Sequence, residues 1–351
     1  MRITANHLTI FRIVSLPVPC ILLYGGSTAK LVALFIFALL GFTDYLDGVL
    51  ARRHGTTPFG TFFDPIADKI FISVIYIPFV YLGYIPLWTA ILLFLREFLI
   101  TEVRRLMSQE KLELQVTELA KSKTTIQMAG AAFILLVHLI PNRNLVIPLF
   151  FLPIVFTLGI GLISLILKRG LSHRVLLALS CFSYILLIRL VFNPQWSAFL
   201  YMMVILLFTY ASGLQYIAVS YSAWAGVHRN PFFLIVRLIS SCLIPILALI
   251  MLRYVPSHSW MAIFVISFDF ASQGLDTWIS SLGREETIKD RLKQATLIPL
   301  AVSAVLLFSL ADTRTMAGGI LWICLIISTF YMAIDYYGHR KLLLTGTISQ
   351  S

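Results

Sequence analysis

Apolar runs of bilayer-crossing length follow one another from end to end of this chain, and nothing else in the sequence limits its fold so strongly. At a rise of about 1.5 Å per residue, a helix needs roughly 20 apolar residues to cross a hydrocarbon layer of about 30 Å. By that measure spans fall at 8–25, 30–51, 62–83, 86–106, 121–140, 145–167, 174–193, 198–220, 231–252, 259–281, 294–310 and 316–338. A transmembrane barrel strand would instead alternate polar and apolar residues over about ten positions. Only helices satisfy their own backbone within each separate span, so the expected fold class is an all-α integral membrane bundle. Composition agrees. Of 351 residues, 59% are hydrophobic and 12% charged, against about 25% charged in soluble domains. A soluble enzyme, a disordered chain and a secreted disulfide scaffold are thereby excluded.

Charge sets the orientation. Lys and Arg are expected at cytoplasmic span ends. With the N-terminus in the cytoplasm, those ends hold Arg52, Arg53, Arg104, Arg105, Lys121, Lys123, Lys168, Arg169 and Arg174, with others further on. The opposite ends hold only Lys30, Arg143, Arg189, Arg253 and Arg314. The net charge of +11 is scattered between apolar spans and forms no solvated basic face, so no nucleic-acid partner is expected. The first span carries Thr9 and Arg12 and is followed by no small-residue cleavage pattern, so it is expected to persist as a helix and not to be a removed signal. Cys20, Cys181, Cys242 and Cys324 lie in apolar runs without CxxC spacing, and the seven histidines show no ligand spacing. The stretch 168–174 is the expected division between a domain at 1–170 and further transmembrane helices at 171–351.

Charged residues inside spans are functional candidates by default. They concentrate in residues 44–69. Asp44 and Asp47 share one helix face, continued by Gly48 and Ala51 and closed by Arg52. Gly60, Asp64 and Asp68 then stack at intervals of four on the next span. Two such faces opposed would gather four carboxylates, which need compensation in a low-dielectric site. Divalent metal with oxygen-only ligands supplies it, and that donor set suits Mg²⁺ or Mn²⁺. Two such ions can orient a nucleophile and stabilise a transferring phosphoryl group. The small residues leave room for a ligand, and Arg52 can pair with a phosphate.

This stretch resembles the signature of the CDP-alcohol phosphatidyltransferase family, D-x2-D-G-x2-A-R followed by G-x3-D-x3-D. The loop between Arg52 and Gly60 is one residue shorter than usual there. The resemblance implies a six-helix core, here followed by about six further transmembrane helices, that binds a CDP-linked lipid. An acceptor hydroxyl attacks the β-phosphorus and CMP leaves. It implies that Asp44, Asp47, Asp64 and Asp68 hold two metal ions, with Asp68 as catalytic base. Gly48, Ala51, Arg52 and Gly60 would line the CDP site. Homodimers are frequent in the family.

Three further stretches resemble the members whose acceptor is glycerol 3-phosphate. They are Asn6-x2-Thr9-x2-Arg12, which adds Asn6 and Thr9 to the CDP site; Arg96-Glu97-Phe98 with Arg104 and Arg105; and Lys121-x-Lys123-Thr124-Thr125-x-Gln127. The resemblance covers about residues 4–168. It implies CDP-diacylglycerol and glycerol 3-phosphate as substrates, and an active site facing the cytoplasm of a bacterial inner membrane. Independently, Arg104, Arg105, Lys121 and Lys123 lie at adjacent span ends on the aspartates' side, as a phosphorylated acceptor requires. The same residues also fit plain positive-inside flanking charge.

The second half repeats no aspartate signature. Thr209, Ser212, Gly213 and Tyr216 form a small-and-polar pattern whose simplest reading is helix packing. Asp269, Gln273 and Asp276, with Arg237 on the preceding span, are a possible interior polar cluster. Three alternatives stay open: the same fold with another acceptor, giving cardiolipin or an inositol-phosphate lipid; a twelve-span transporter; and an assembly factor with a vestigial site.

Overall fold

The computed structural model describes residues 5–54, 58–109, 118–140, 142–166, 173–224, 231–281 and 313–345. The described residues are helical with short connections, and no strand occurs among them. In chain order the helices are α1 (Ala5–Ser15), α2 (Pro17–Leu23), α3 (Ser27–His54), α4 (Pro58–Tyr81), α5 (Leu87–Gln109), α6 (Glu118–Leu139), α7 (Arg143–Ile166), α8 (His173–Val191), α9 (Pro194–Trp224), α10 (Pro231–Met251), α11 (Ser259–Ser281) and α12 (Thr313–Thr345).

The boundaries follow local chemistry. Proline opens α2, α4, α9 and α10, where its missing N–H costs nothing and its fixed φ suits the first helical residue. Pro17 is also why the expected span at 8–25 is two helices: the chain breaks at Leu16 and restarts. Asn193 caps α9 by accepting from the Trp196 amide at 2.9 Å. Gly83 ends α4 with φ +70°, and the Tyr84 amide reaches back to the Phe79 carbonyl at 2.9 Å, a Schellman arrangement that favours glycine. The span expected at 294–310 lies outside the described residues. The other expected spans each fall on described helices.

Many large apolar side chains are exposed: Phe11, Val14 and Ile21 on α1 and α2, Phe35 and Phe42 on α3, Leu152 and Phe156 on α7, Ile326 and Phe330 on α12. Water-facing surfaces rarely carry so much contiguous apolar area, whereas a bilayer accepts it. Two described helical stretches, Pro194–Ala218 and Thr315–Ile334, are long and apolar enough to cross a membrane by length and composition alone. The helical architecture is thus consistent with a membrane protein.

One contiguous apolar core joins both halves of the chain. α4 runs through its middle, buried without interruption from Phe71 to Phe79, as a helix apolar all round must be. α1, α5, α6 and α11 pack against α4; α9 packs against α5, α6 and α8; α11 also packs against α5, α10 and α12. Phe270 of α11 stacks on Phe98 of α5 with ring centroids 4.0 Å apart. α6 and α9 approach closely at Gly130, where an added Cβ would lie 2.5 Å from Ile205 Cδ1. The second half therefore closes over the faces of α4, α5 and α6.

Candidate active site

α1 and α4 form one wall of the site. Thr9 and Arg12 are three apart on α1 and both buried, so they present one face to Asp64 and Asp68, four apart on α4. Thr9 Oγ1 donates to Asp64 Oδ1 at 2.8 Å. Arg12 Nη1 lies 3.3 Å from Asp68 Oδ1. Asp68 keeps 29% of its side chain exposed, which leaves it both held and reachable.

Two cavities meet at Asp68. The smaller, about 240 Å³, is lined by Asp64, Asp68, Lys69, Arg96, Arg104 and Lys123, with Glu97, Thr101 and Thr124. The larger, about 670 Å³, is mainly apolar and runs between α3, α4 and α6, past Phe37, Phe71, Ile75, Phe79 and Met128. From Asp68 to Phe79 along α4 this groove extends roughly 16 Å, at about 1.5 Å per residue.

Glu97 organises the cations of the smaller cavity. Lys123 Nζ donates to both of its oxygens, at 2.7 and 2.8 Å. Arg96 Nη1 reaches Glu97 Oε1 at 3.3 Å, and Gln127 Nε2 donates to the same oxygen at 3.2 Å. Lys69 Nζ donates to Thr101 Oγ1 at 2.6 Å, and that hydroxyl donates to the Glu97 carbonyl at 2.6 Å. Among the described residues, neither Lys69 nor Arg104 has a carboxylate within ion-pair distance. The Arg104 guanidinium sits 5.0 Å from the centroid of the Tyr216 ring, and Lys69 Nζ lies 5.2 Å from that of Phe270. With Lys69, Arg96, Arg104 and Lys123 in its lining against the carboxylates of Asp64, Asp68 and Glu97, the cavity offers a bound anion several cationic donors.

Of the residues singled out in the sequence, Thr9, Asp64, Asp68, Arg104 and Lys123 are thus brought together. Arg105 pairs with Glu102 at 2.9 Å and is not among the cavity's lining residues. Asp44, Asp47, Gly48, Ala51 and Arg52 are positions of α3, Gly60 of α4, Asn6 of α1 and Lys121 of α6; their side chains lie outside the described residues. Arg12, Lys69 and Thr101 join the site without having been candidates for it. Arg12 carried a signal, its helical spacing from Thr9; Lys69 carried only its place after Asp68.

Sequence comparisons place the chain in a family. Residues 2–168 match the profile of CDP-alcohol phosphatidyltransferase. The chain is 35% identical over 138 residues to a CDP-diacylglycerol–glycerol-3-phosphate 3-phosphatidyltransferase of Rickettsia typhi, covering 39% of this chain and 78% of that relative. It is 34% identical over 170 residues to the protein of the same name from Salmonella choleraesuis, covering 46% of this chain and 93% of the relative. A probable phosphatidylglycerophosphate synthase of Mycobacterium tuberculosis is 46% identical over 105 residues, 28% of this chain and 50% of that protein. The chain belongs to the CDP-alcohol phosphatidyltransferase family and is a phosphotransferase.

Proposed function

We propose that the chain transfers a phosphatidyl group from CDP-diacylglycerol to the hydroxyl of sn-glycerol 3-phosphate, giving phosphatidylglycerophosphate and CMP. One observation carries this reading: Asp68 lines both an apolar groove and a small cavity in which Lys69, Arg96, Arg104 and Lys123 meet the carboxylates of Asp64, Asp68 and Glu97. The groove suits a diacylglycerol tail. The cavity suits a small acceptor whose phosphate is bound by Arg104 and Lys69, with Arg96 and Lys123 held close by Glu97. The relatives' names support the same substrates.

The reacting atoms would then meet beside Asp68. The acceptor hydroxyl forms a new bond to the β-phosphorus while the bond to the CMP oxygen breaks. Asp68 takes the hydroxyl proton, and CMP leaves with the bonding pair. Thr9 and Arg12 hold the two α4 carboxylates in place for that task. Asp64 and Asp68 line one cavity and offer only hard oxygen donors, which fits the family's divalent ion. Asp44, Asp47, Asp64 and Asp68 would hold two such ions, which would neutralise charge gathering on the transferring phosphoryl group. The basic span ends support a multi-pass arrangement with the site on the cytoplasmic side.

Turnover of labelled CDP-diacylglycerol with a panel of acceptors tests the reading. Glycerol 3-phosphate should release CMP, EDTA should stop it, and added Mg²⁺ or Mn²⁺ should restore it. Faster release with phosphatidylglycerol or an inositol phosphate would reassign the acceptor; EDTA-insensitive turnover would remove the metal. Replacing Arg104 with alanine is expected to raise the glycerol 3-phosphate KM by about tenfold to a hundredfold, the loss of one charge-assisted phosphate contact. An unchanged KM would remove Arg104 from the acceptor pocket.

A further inference from the structure

We propose that α9, in the half of the chain that the family match does not reach, serves the acceptor cavity from behind its lining by positioning two of its cations, Arg96 and Arg104. This rests on the acceptor reading above. Four of its residues, spaced along one face, meet that cavity's machinery. Arg96 Nη2 donates to Ser212 Oγ at 2.7 Å. Gly213 lies against the same side chain, where an added Cβ would stand 3.0 Å from Arg96 Nε. The ring of Tyr216 faces the Arg104 guanidinium at 5.0 Å. Thr209 Oγ1 accepts from Gln127 Nε2 at 3.1 Å, and the same nitrogen donates to Glu97, the anchor of Lys123.

The four make up the small-and-polar pattern legible in the sequence, and packing is part of its work. Packing alone would be served by any small residues on that face. Here the partners are instead cavity cations: Arg96 and Arg104 both line the 240 Å³ cavity, and each meets an α9 group suited to a guanidinium, a hydroxyl acceptor and an aromatic face. An arginine side chain left free carries large rotamer entropy, which it must lose on gripping a phosphate. Fixing it beforehand shifts that cost from binding to folding. Ser212 and Tyr216 are therefore positioning residues for recognition of the acceptor phosphate, and Gly213 provides the space in which Arg96 lies.

Steady-state kinetics of the full-length protein test this, varying each substrate in turn. Tyr216→Leu and Ser212→Ala should each raise the glycerol 3-phosphate KM by about threefold to tenfold, the scale of one cation–π or hydrogen-bond contact. The CDP-diacylglycerol KM should stay within about twofold of the parent, because none of the described residues lining the donor's groove belongs to α9. Tyr216→Phe, which keeps the ring but loses the hydroxyl that also meets Arg104, should give an acceptor KM between those of Tyr216→Leu and the parent. An acceptor KM unchanged in both Tyr216→Leu and Ser212→Ala would overturn the proposal while leaving the enzyme reading intact. So would an equal rise in both substrates' KM, the mark of a merely structural contact. A parent chain that releases no CMP with glycerol 3-phosphate would overturn both readings.

Discussion

Exchanging Asp68 for asparagine should lower CMP release by about a thousandfold or more while the protein remains folded. The expected size combines loss of a general base, worth about 10²–10⁴ in rate, with loss of one charged oxygen from the proposed metal donors. Folding should survive because asparagine has the same shape, and its amide oxygen can still accept from Arg12, 3.3 Å away in the parent. Asp64 keeps its bond from Thr9. Activity should be read as CMP produced from CDP-diacylglycerol, beside the thermal unfolding midpoint of the purified protein in detergent. Turnover near the parent level would strip Asp68 of its assigned role. A midpoint that collapses together with activity would recast the residue as a buried anchor for Arg12.

The second large effect concerns stability. Glu97→Gln should destabilise the protein by about 3–5 kcal/mol, because removing one member of a buried charge cluster leaves the others uncompensated. Glu97 is 3% exposed and takes Lys123 on both oxygens, with Arg96 and Gln127 converging on Oε1. Unfolding in detergent should show the midpoint falling well below the parent's. Adding Lys123→Met should recover part of the loss, since the double variant buries one fewer unmatched cation. A single variant as stable as the parent would mean that the cluster is hydrated and worth little.

The sequence carried the parts of this molecule that depend on spacing along one helix. Apolar run length placed the helices, and Pro17 is the one local signal that divides an expected span. The interval of four between Asp64 and Asp68 put both on the face that meets α1. What spacing along a helix does not encode is which face of which distant helix it meets. The Arg96–Ser212 bond joins residues 116 positions apart, and the Gln127–Thr209 bond joins residues 82 apart. From composition, Arg104 and Arg105 are equivalent basic flanks. The rotation of about 100° between adjacent helical residues sends one toward the cavity and Tyr216 and the other onto Glu102. The sequence pattern at 209–216 was visible, but its partners were not, because Ser, Gly and Tyr at helical intervals serve equally for plain helix contact.

The contact between Arg104 and Tyr216 of α9 bears on chemical selectivity. A match of 170 residues takes in 93% of the Salmonella relative, a chain too short to hold counterparts of α8 through α12. A small molecule wedged between the Arg104 guanidinium and the Tyr216 ring would exploit an aromatic surface that such a short protein must obtain elsewhere or do without. Inhibitors screened against the compact form would miss that foothold, and those built around it would discriminate between the two architectures.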